Sequence, residues 1–300
     1  MPPDSSHHLR TGPGREARAQ VRIPYPPRVL ELSDAHGHLT MVFADGQRWP
    51  TRAATDEEVD GAVSRARDAG VTRILVPSTT FEDAPRAVAI AERHAGVWAA
   101  VGIHPHETAL FDEDRDLPRL EELCRSAKVV AVGEIGLDYH YDHAPREAQK
   151  RALAAQLRLA REKGLPAILH NRLSEADLLA ILEAEYPGTP GEPRGVLHSF
   201  CADPETGRRA IALGYLVSFS GMITFGAAQN VRDAAAALPL SSMLVETDAP
   251  FLAPAPLRGK ANEPAFVERT ARRLAEVKGV SLEAVAGETT ANFRRLFRTA

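Results

Sequence analysis

VVAVGEIGLDYHYDHAPREAQKRALAAQLRLAREKGLPAILHN, residues 129–171, decides the fold. It opens on VVAVGEIG, a continuous apolar run of the kind a parallel strand buried on both faces requires. It continues through PREAQKRALAAQLRLAREKG, where Leu153, Leu157 and Ala160 share one face at helical spacing and Pro145 suits a first helical turn. It closes on PAILHN, a second buried strand, which makes the whole stretch a βαβ unit. The same unit recurs in both directions. LELSDAH, TRILVPS and VWAAVGIH precede it, and GVLHSF, YLVSFSG and MLVETDAP follow. TDEEVDGAVSRARDAG between the first two strands is a helix with Thr55 as N-cap and Gly70 as its stop. The connection after YLVSFSG is the thinnest, because NVRDAAAAL makes only a short helix. Eight strands alternating with helices predict an α/β fold, a closed (β/α)8 TIM barrel over residues 29–300. SLEAVAGETTANFRRLF is expected as an additional C-terminal helix on the barrel floor or flank. Residues 1–28, rich in Pro, Gly, Ser and Arg, read as a flexible tail in which His7 and His8 have no partner ligands. MVFADGQRWPTRAA at 41–54 reads as a loop inserted after the first strand.

The bulk properties restrict partners. At 300 residues the chain suits one barrel better than two small domains. Its net charge of −4 gives no global field that would draw nucleic acid, so any phosphate-binding surface must be local. Cys124 and Cys201 have no paired spacing and are expected as reduced thiols of a cytoplasmic protein. No apolar run approaches the roughly 18 residues of a membrane span, and MPPDSSHHLRTGPGREARAQ lacks the apolar stretch of a signal peptide. No membrane and no stable protein partner are implied.

The polar residues fall into a pattern on this map. His36 and His38 end strand one, His104 and His106 follow strand three, and Glu134 ends strand four. His170 ends strand five, His198 strand six and Asp248 strand eight. All lie at C-terminal strand ends, the rim where barrels build their sites. With 11 histidines in the chain, one His-x-His pair discriminates little, and a single histidine ending an apolar strand is ordinarily structural. Glu134 and Asp248 are harder to dismiss, because a carboxylate on a buried strand is costly unless a cation or donor compensates it. Residues i and i+2 of a strand point the same way, so both imidazoles of His36-x-His38 can face the mouth. Four imidazoles and two carboxylates make metal binding the economical explanation. Mixed nitrogen and oxygen donors suit Zn, Mn, Fe or Ni better than Ca, and the absence of cysteine ligands favours an open catalytic site.

DAHGHL (34–39), GIHPH (102–106), GEIGLDY (133–139), LPAILHNR (165–172), GVLHSF (195–200), GYLVSFSGMITF (214–225), ETDAPFLAP (246–254), RGKANEPAFV (258–267) and TTANFRRLF (289–297) follow one another in the order of a known family. The chain resembles the TatD-type metal-dependent deoxyribonucleases, a branch of the amidohydrolase-like barrel hydrolases, over nearly the whole domain. The resemblance implies two divalent cations (Zn, Mn or Mg). His36 and His38 match the first metal pair, Glu134 the bridging carboxylate, His170 and His198 the second pair, and Asp248 the acid on strand eight. It implies hydrolysis of a phosphodiester in DNA by a two-metal-bound hydroxide, expected to be exonucleolytic on single strands, with Glu134 and Asp248 catalytic and Asp248 the proton acceptor. His106, Arg258 and Lys260 are the candidate substrate contacts. Arg172 could touch phosphate, but pairing with a neighbouring acid is the preferred reading.

The chain departs from the family in places that touch the rim. Thr40 stands where the family has Asp, Cys201-Ala202 follow His198-Ser199-Phe200 where it has Ser-Gly, and the 41–54 loop is longer. No ligand position is lost. The alternative is an ester, lactone, amide or aminoacyl-tRNA hydrolase of the same barrel class, since fold does not fix substrate. A non-enzymatic scaffold would have shed ligands, and none is shed.

Overall fold

The computed structural model describes residues 30–46, 51–141, 143–189 and 191–299, so the 1–28 tail lies outside the described residues. Eight parallel strands form one sheet in the order β1 (Leu32–Asp34), β4 (Val71–Pro77), β5 (Val97–Val101), β6 (Val129–Asp138), β7 (Ala167–Arg172), β8 (Gly195–Leu197), β9 (Tyr215–Phe219) and β10 (Met243–Val245). Between β1 and β10 the Ala35 N–H donates to Val245 O at 3.1 Å, which draws the two edges together into the barrel. Helices α1 (Asp56–Asp68), α2 (Ala84–Arg93), α3 (Glu113–Leu123), α4 (Arg146–Lys163), α5 (Glu175–Glu185), α6 (Pro204–Ala212), α7 (Gln229–Ala237) and α8 (Val267–Lys278) intervene, and α9 (Leu282–Phe297) follows. Thr55 caps α1 in a capping box with Glu58, satisfying two orphan N–H groups reciprocally. Pro145 stands at the N-cap of α4, just ahead of the first helical residue.

Two sequence expectations change. Residues 41–54 are not only a loop: β2 (Met41–Phe43) pairs antiparallel with β3 (Thr51–Ala53), Met41 opposite Ala53. Asp45-Gly46, a turn dipeptide whose glycine has φ 77°, bends the chain after β2, its Gly46 N–H donating to Phe43 O at 3.0 Å. Glu134 does not end its strand. It sits in the middle of the ten-residue β6, where the register with β7 shifts between Val132 and Ile135. The glycines on either side explain how the neighbouring strand comes so near. Gly136 has φ 147°, and a Cβ there would lie 2.0 Å from the His170 carbonyl oxygen; one on Gly133 would lie 2.5 Å from Ile168 Cβ.

Two cores result. The larger lies between strands and helices. The smaller fills the barrel with one residue from each of β4 to β10 (Leu75, Ala100, Ala131, Ile168, Val196, Leu216, Leu244) and Ala35 just beyond β1. Phe293, Leu296 and Phe297 of α9 complete it from the N-terminal end, so the additional helix is the floor. Asn292 Nδ2 donates to the carbonyls of Met243 and Leu240, and Ser33 Oγ bonds Thr290 Oγ1, fastening α9 to the strands at both edges of the sheet. Cys124 and Cys201 are free thiols. Among the described residues no helix is long and apolar enough to cross a membrane.

Phe293 is fully buried in that floor. Phe293→Ala should cost about 3–5 kcal/mol through lost burial and the cavity it leaves. Chemical denaturation would show a lowered midpoint; an unchanged midpoint would mean α9 is not the floor.

Candidate metal centre

The first half of the centre stands where β1 meets β10. Asp34 Oδ1 accepts the Thr247 N–H at 2.9 Å and Oδ2 accepts the Thr247 hydroxyl at 2.6 Å, both buried. Beyond this clasp the Asp248 N–H donates to His36 O (2.8 Å) and the His38 N–H to Ala249 O (2.7 Å). The backbone therefore delivers His36, His38 and Asp248 to one place. The His36 and His38 Nε2 atoms lie 3.1 Å apart, and Asp248 Oδ1 is 3.5 Å from the second and 3.8 Å from the first. Asp248 has φ 57°, the left-handed region that non-glycine residues occupy at a cost.

Glu134 lies opposite, 3% exposed, and its two oxygens face different groups. Oε2 is 3.3 Å from His36 Nε2 and 3.5 Å from His38 Nε2. Oε1 is 2.9 Å from His198 Nε2, 3.1 Å from His170 Nδ1 and 3.4 Å from His104 Nε2. Burial alone would push this carboxyl up, but His198, His104 and His36 outweigh it and hold it well below the usual carboxylate range. Desolvation works against a charge on His198, yet Glu134 and Glu246 raise it well above an ordinary imidazole. Against the same desolvation, Asp138 and Glu134 raise His170, while Asp248 and Glu134 raise His38. Burial and then the His198 charge lower His36.

A second layer of carboxylates orients the rings. Glu246 Oε1 is 3.3 Å from His198 Nδ1 and accepts the Ser199 N–H at 2.7 Å. Asp138 Oδ2 is 3.0 Å from His170 Nε2 and 3.0 Å from His106 Nε2. Each thus holds the ring nitrogen that faces away from Glu134, the usual arrangement behind a ligating histidine. His104 differs. Its Nδ1 accepts the His106 backbone N–H at 3.2 Å, so in the neutral ring the proton sits on Nε2, pointing at Glu134. Burial pushes this histidine down to about 4, which keeps it neutral.

Three groups offer donor atoms mutually within 4.8 Å: His36, Glu134 and His198; His36, His38 and Asp248; His104, Glu134 and His170. Two Nε2 atoms facing each other at 3.1 Å around shared carboxylate oxygens are what a divalent cation would separate and satisfy, and the nitrogen and oxygen donor set fits a first-row ion. The six predicted metal residues are therefore brought together. Of the predicted substrate contacts, His106 adjoins them through Asp138. Arg258 and Lys260 are exposed on the segment after Asp248, with the Arg258 guanidinium 3.9 Å from the Phe225 ring centroid. Arg172 does not pair with an acid among the described residues; it lies over the Tyr141 ring at 5.0 Å. The sequence reading gave no role to Asp34, Asp138, Glu246 or His104. The cost of a buried carboxylate, which singled out Glu134 and Asp248, applies equally to Glu246 two residues before Asp248.

A (β/α)8 barrel with imidazoles and carboxylates converging at its C-terminal mouth defines a metal-dependent barrel hydrolase. The family model for TatD-related DNases matches residues 33–298, and the chain belongs to that family. It is 36% identical to the uncharacterized metal-dependent hydrolase YabD of Bacillus subtilis over 267 residues, covering 89% of this chain and 99% of that one. It is 33% identical to the 3'-5' ssDNA/RNA exonuclease TatD of Cronobacter sakazakii, over 82% of this chain and 94% of that one. The crystal structure of the TatD homologue YjjV from Escherichia coli K12 superimposes with a TM-score of 0.80 at 33% identity, covering 91% of this chain and all of that one.

Asp138→Asn should weaken cation binding by about 10- to 100-fold with the barrel intact by circular dichroism, because His170 loses its anchor. Cation affinity should also rise with pH. His198, His170 and His38, all raised, hold protons that a ligated cation must expel, so acid favours the metal-free form. Calorimetry in buffers of different ionisation heat would count those protons; binding without proton release would contradict the arrangement.

Proposed function

We propose that the chain is a two-metal phosphodiesterase that trims single-stranded nucleic acid from the 3' end. The observation that carries this reading is the division of Glu134, with one oxygen turned to His36 and His38 and the other to His170 and His198. A carboxylate so placed would bridge two cations. His36, His38 and Asp248 would hold the first and His170 and His198 the second, with Zn or Mn better suited to the nitrogen donors than Mg. Cations there would supply Lewis acidity to the phosphoryl group and acidify an attacking water.

The remaining work falls to the chain's own groups. Asp248 is 13% exposed at its side chain against 3% for Glu134, which supports it as the carboxylate that would take a proton from that water and pass it outward. Arg258 and Lys260, with no carboxylate partner among the described residues, are available to flanking phosphates. In a chain of net charge −4 these contacts are local and few, which suits a single strand entering a mouth better than a duplex along a basic groove. The 3'-5' direction and the DNA/RNA substrate are supported by the exonuclease activity for which the Cronobacter relative is named.

The test is a metal-reconstituted assay against single-stranded DNA, RNA, duplex DNA and small esters. Active protein should hold about two divalent ions per chain and stop on chelation. Glu134→Ala should lose bound metal and at least about 10³-fold in kcat/KM. Turnover of esters but of no nucleic acid with Mg, Mn, Zn or Co would overturn the nuclease assignment. Arg258→Ala should raise KM for DNA by about 3- to 10-fold and shift the kcat/KM ratio of oligonucleotide to small diester in favour of the diester. Equal losses on both would place Arg258 in support of the transition state instead.

A further inference from the structure

Where β6 ends, Asp138 Oδ1 accepts the backbone N–H groups of His140 (2.8 Å) and Tyr141 (3.0 Å). The chain turns sharply there and leaves His140, Tyr141 and His143 exposed beside the mouth, Tyr141 at 42%. The Tyr141 ring is tilted only 27° from that of His143, at 5.6 Å between centroids, and meets His106 edge-on at 5.6 Å. The Arg172 guanidinium lies 5.0 Å from the Tyr141 centroid, on an exposed side chain with no carboxylate partner among the described residues. None of these groups contributes to either core. Together they set three aromatic rings at the surface beside the mouth, with a guanidinium that has no carboxylate partner among the described residues.

That pairing is the chemical complement of an unpaired base and its phosphate. A base stacks on an aromatic face whatever its sequence, and a guanidinium serves either the ring or the neighbouring phosphate. The location fits as well. His106, which meets Tyr141, is 6.2 Å by ring centroids from His170, so the cluster adjoins the candidate centre through His106. We propose that Tyr141, flanked by His143 and Arg172, is a stacking platform for the unpaired nucleobase adjoining the scissile phosphate. This rests on the nuclease reading above and names the part of the strand that the rim holds.

The test uses the cation-loaded protein and a single-stranded oligonucleotide with phosphorothioate linkages at its 3' end and 2-aminopurine near that end. Binding should quench the 2-aminopurine with wild type and with Tyr141→Phe, and leave it bright with Tyr141→Ala. Tyr141→Ala should also bind about 5- to 100-fold more weakly. An abasic residue at the stacked position should weaken wild type by a similar factor and add little to Tyr141→Ala, a coupling that a merely structural tyrosine would not produce. An abasic penalty as large in Tyr141→Ala as in wild type overturns the platform, as does failure of Tyr141→Phe. Cleavage of DNA by a wild type that gives no quench removes the platform alone. A wild type that binds no oligonucleotide yet hydrolyses a small ester removes the platform and the nuclease reading together.

Discussion

The Asp34 carboxylate grips Thr247 by both its backbone N–H and its hydroxyl, joining residues 213 positions apart in the chain. This contact sets where the first strand lies against the last. From it follow the backbone bonds of His36 and His38 to Asp248 and Ala249, and with them half of the candidate centre. Closing so long a loop is entropically costly, though the cost grows only slowly with length. The intervening βα units meet it by packing in sequence around the barrel. The carboxyl is wholly buried, which pushes it up to about 8 and leaves its hydrogen bonds without competition from water.

Glu134 answers this seam from the far wall. A buried carboxylate among imidazoles is electrostatically coherent only while the rings are fixed, and the fixing is done by other carboxylates set behind them. Asp138 and Glu246 hold His170 and His198 by opposite ring nitrogens, Nε2 in one and Nδ1 in the other. The two histidines therefore turn different ring nitrogens to Glu134 Oε1, and those nitrogens lie 3.3 Å apart. His104 completes the surround with a nitrogen that already bears its proton, which makes it a donor toward Glu134 rather than a further lone pair.

The fold was legible because each of its strands is a short apolar run and helices alternate with them, so the barrel follows from periodicity. The candidate ligands other than Glu134 were legible for a different reason: they stand at or near strand ends, where side-chain direction can be counted from the strand itself. What stayed hidden depended on partners remote in sequence. Asp138 reads as an ordinary polar residue after a strand until β7 brings His170 beside it. Arg172 reads as half of an ion pair, and only the turn of residues 139–141 lays Tyr141 beneath it instead. The middle position of Glu134 could not be counted at all, since it depends on a register shift that two glycines permit. The β2–β3 hairpin has strands of only three residues each, too short to show a period-2 alternation.

The placement of α9 has a bearing on timing. All six candidate ligands have been synthesised by residue 248, whereas Phe293, Leu296 and Phe297, which floor the barrel, emerge only later. At ordinary translation speeds roughly several seconds separate the two. During that interval the growing polypeptide carries every donor atom while its first and last strands lack the helix that fastens both. Every donor atom thus precedes the floor in the order of synthesis, and the bonds of Thr290 and Asn292 that fasten the two edges of the sheet come last.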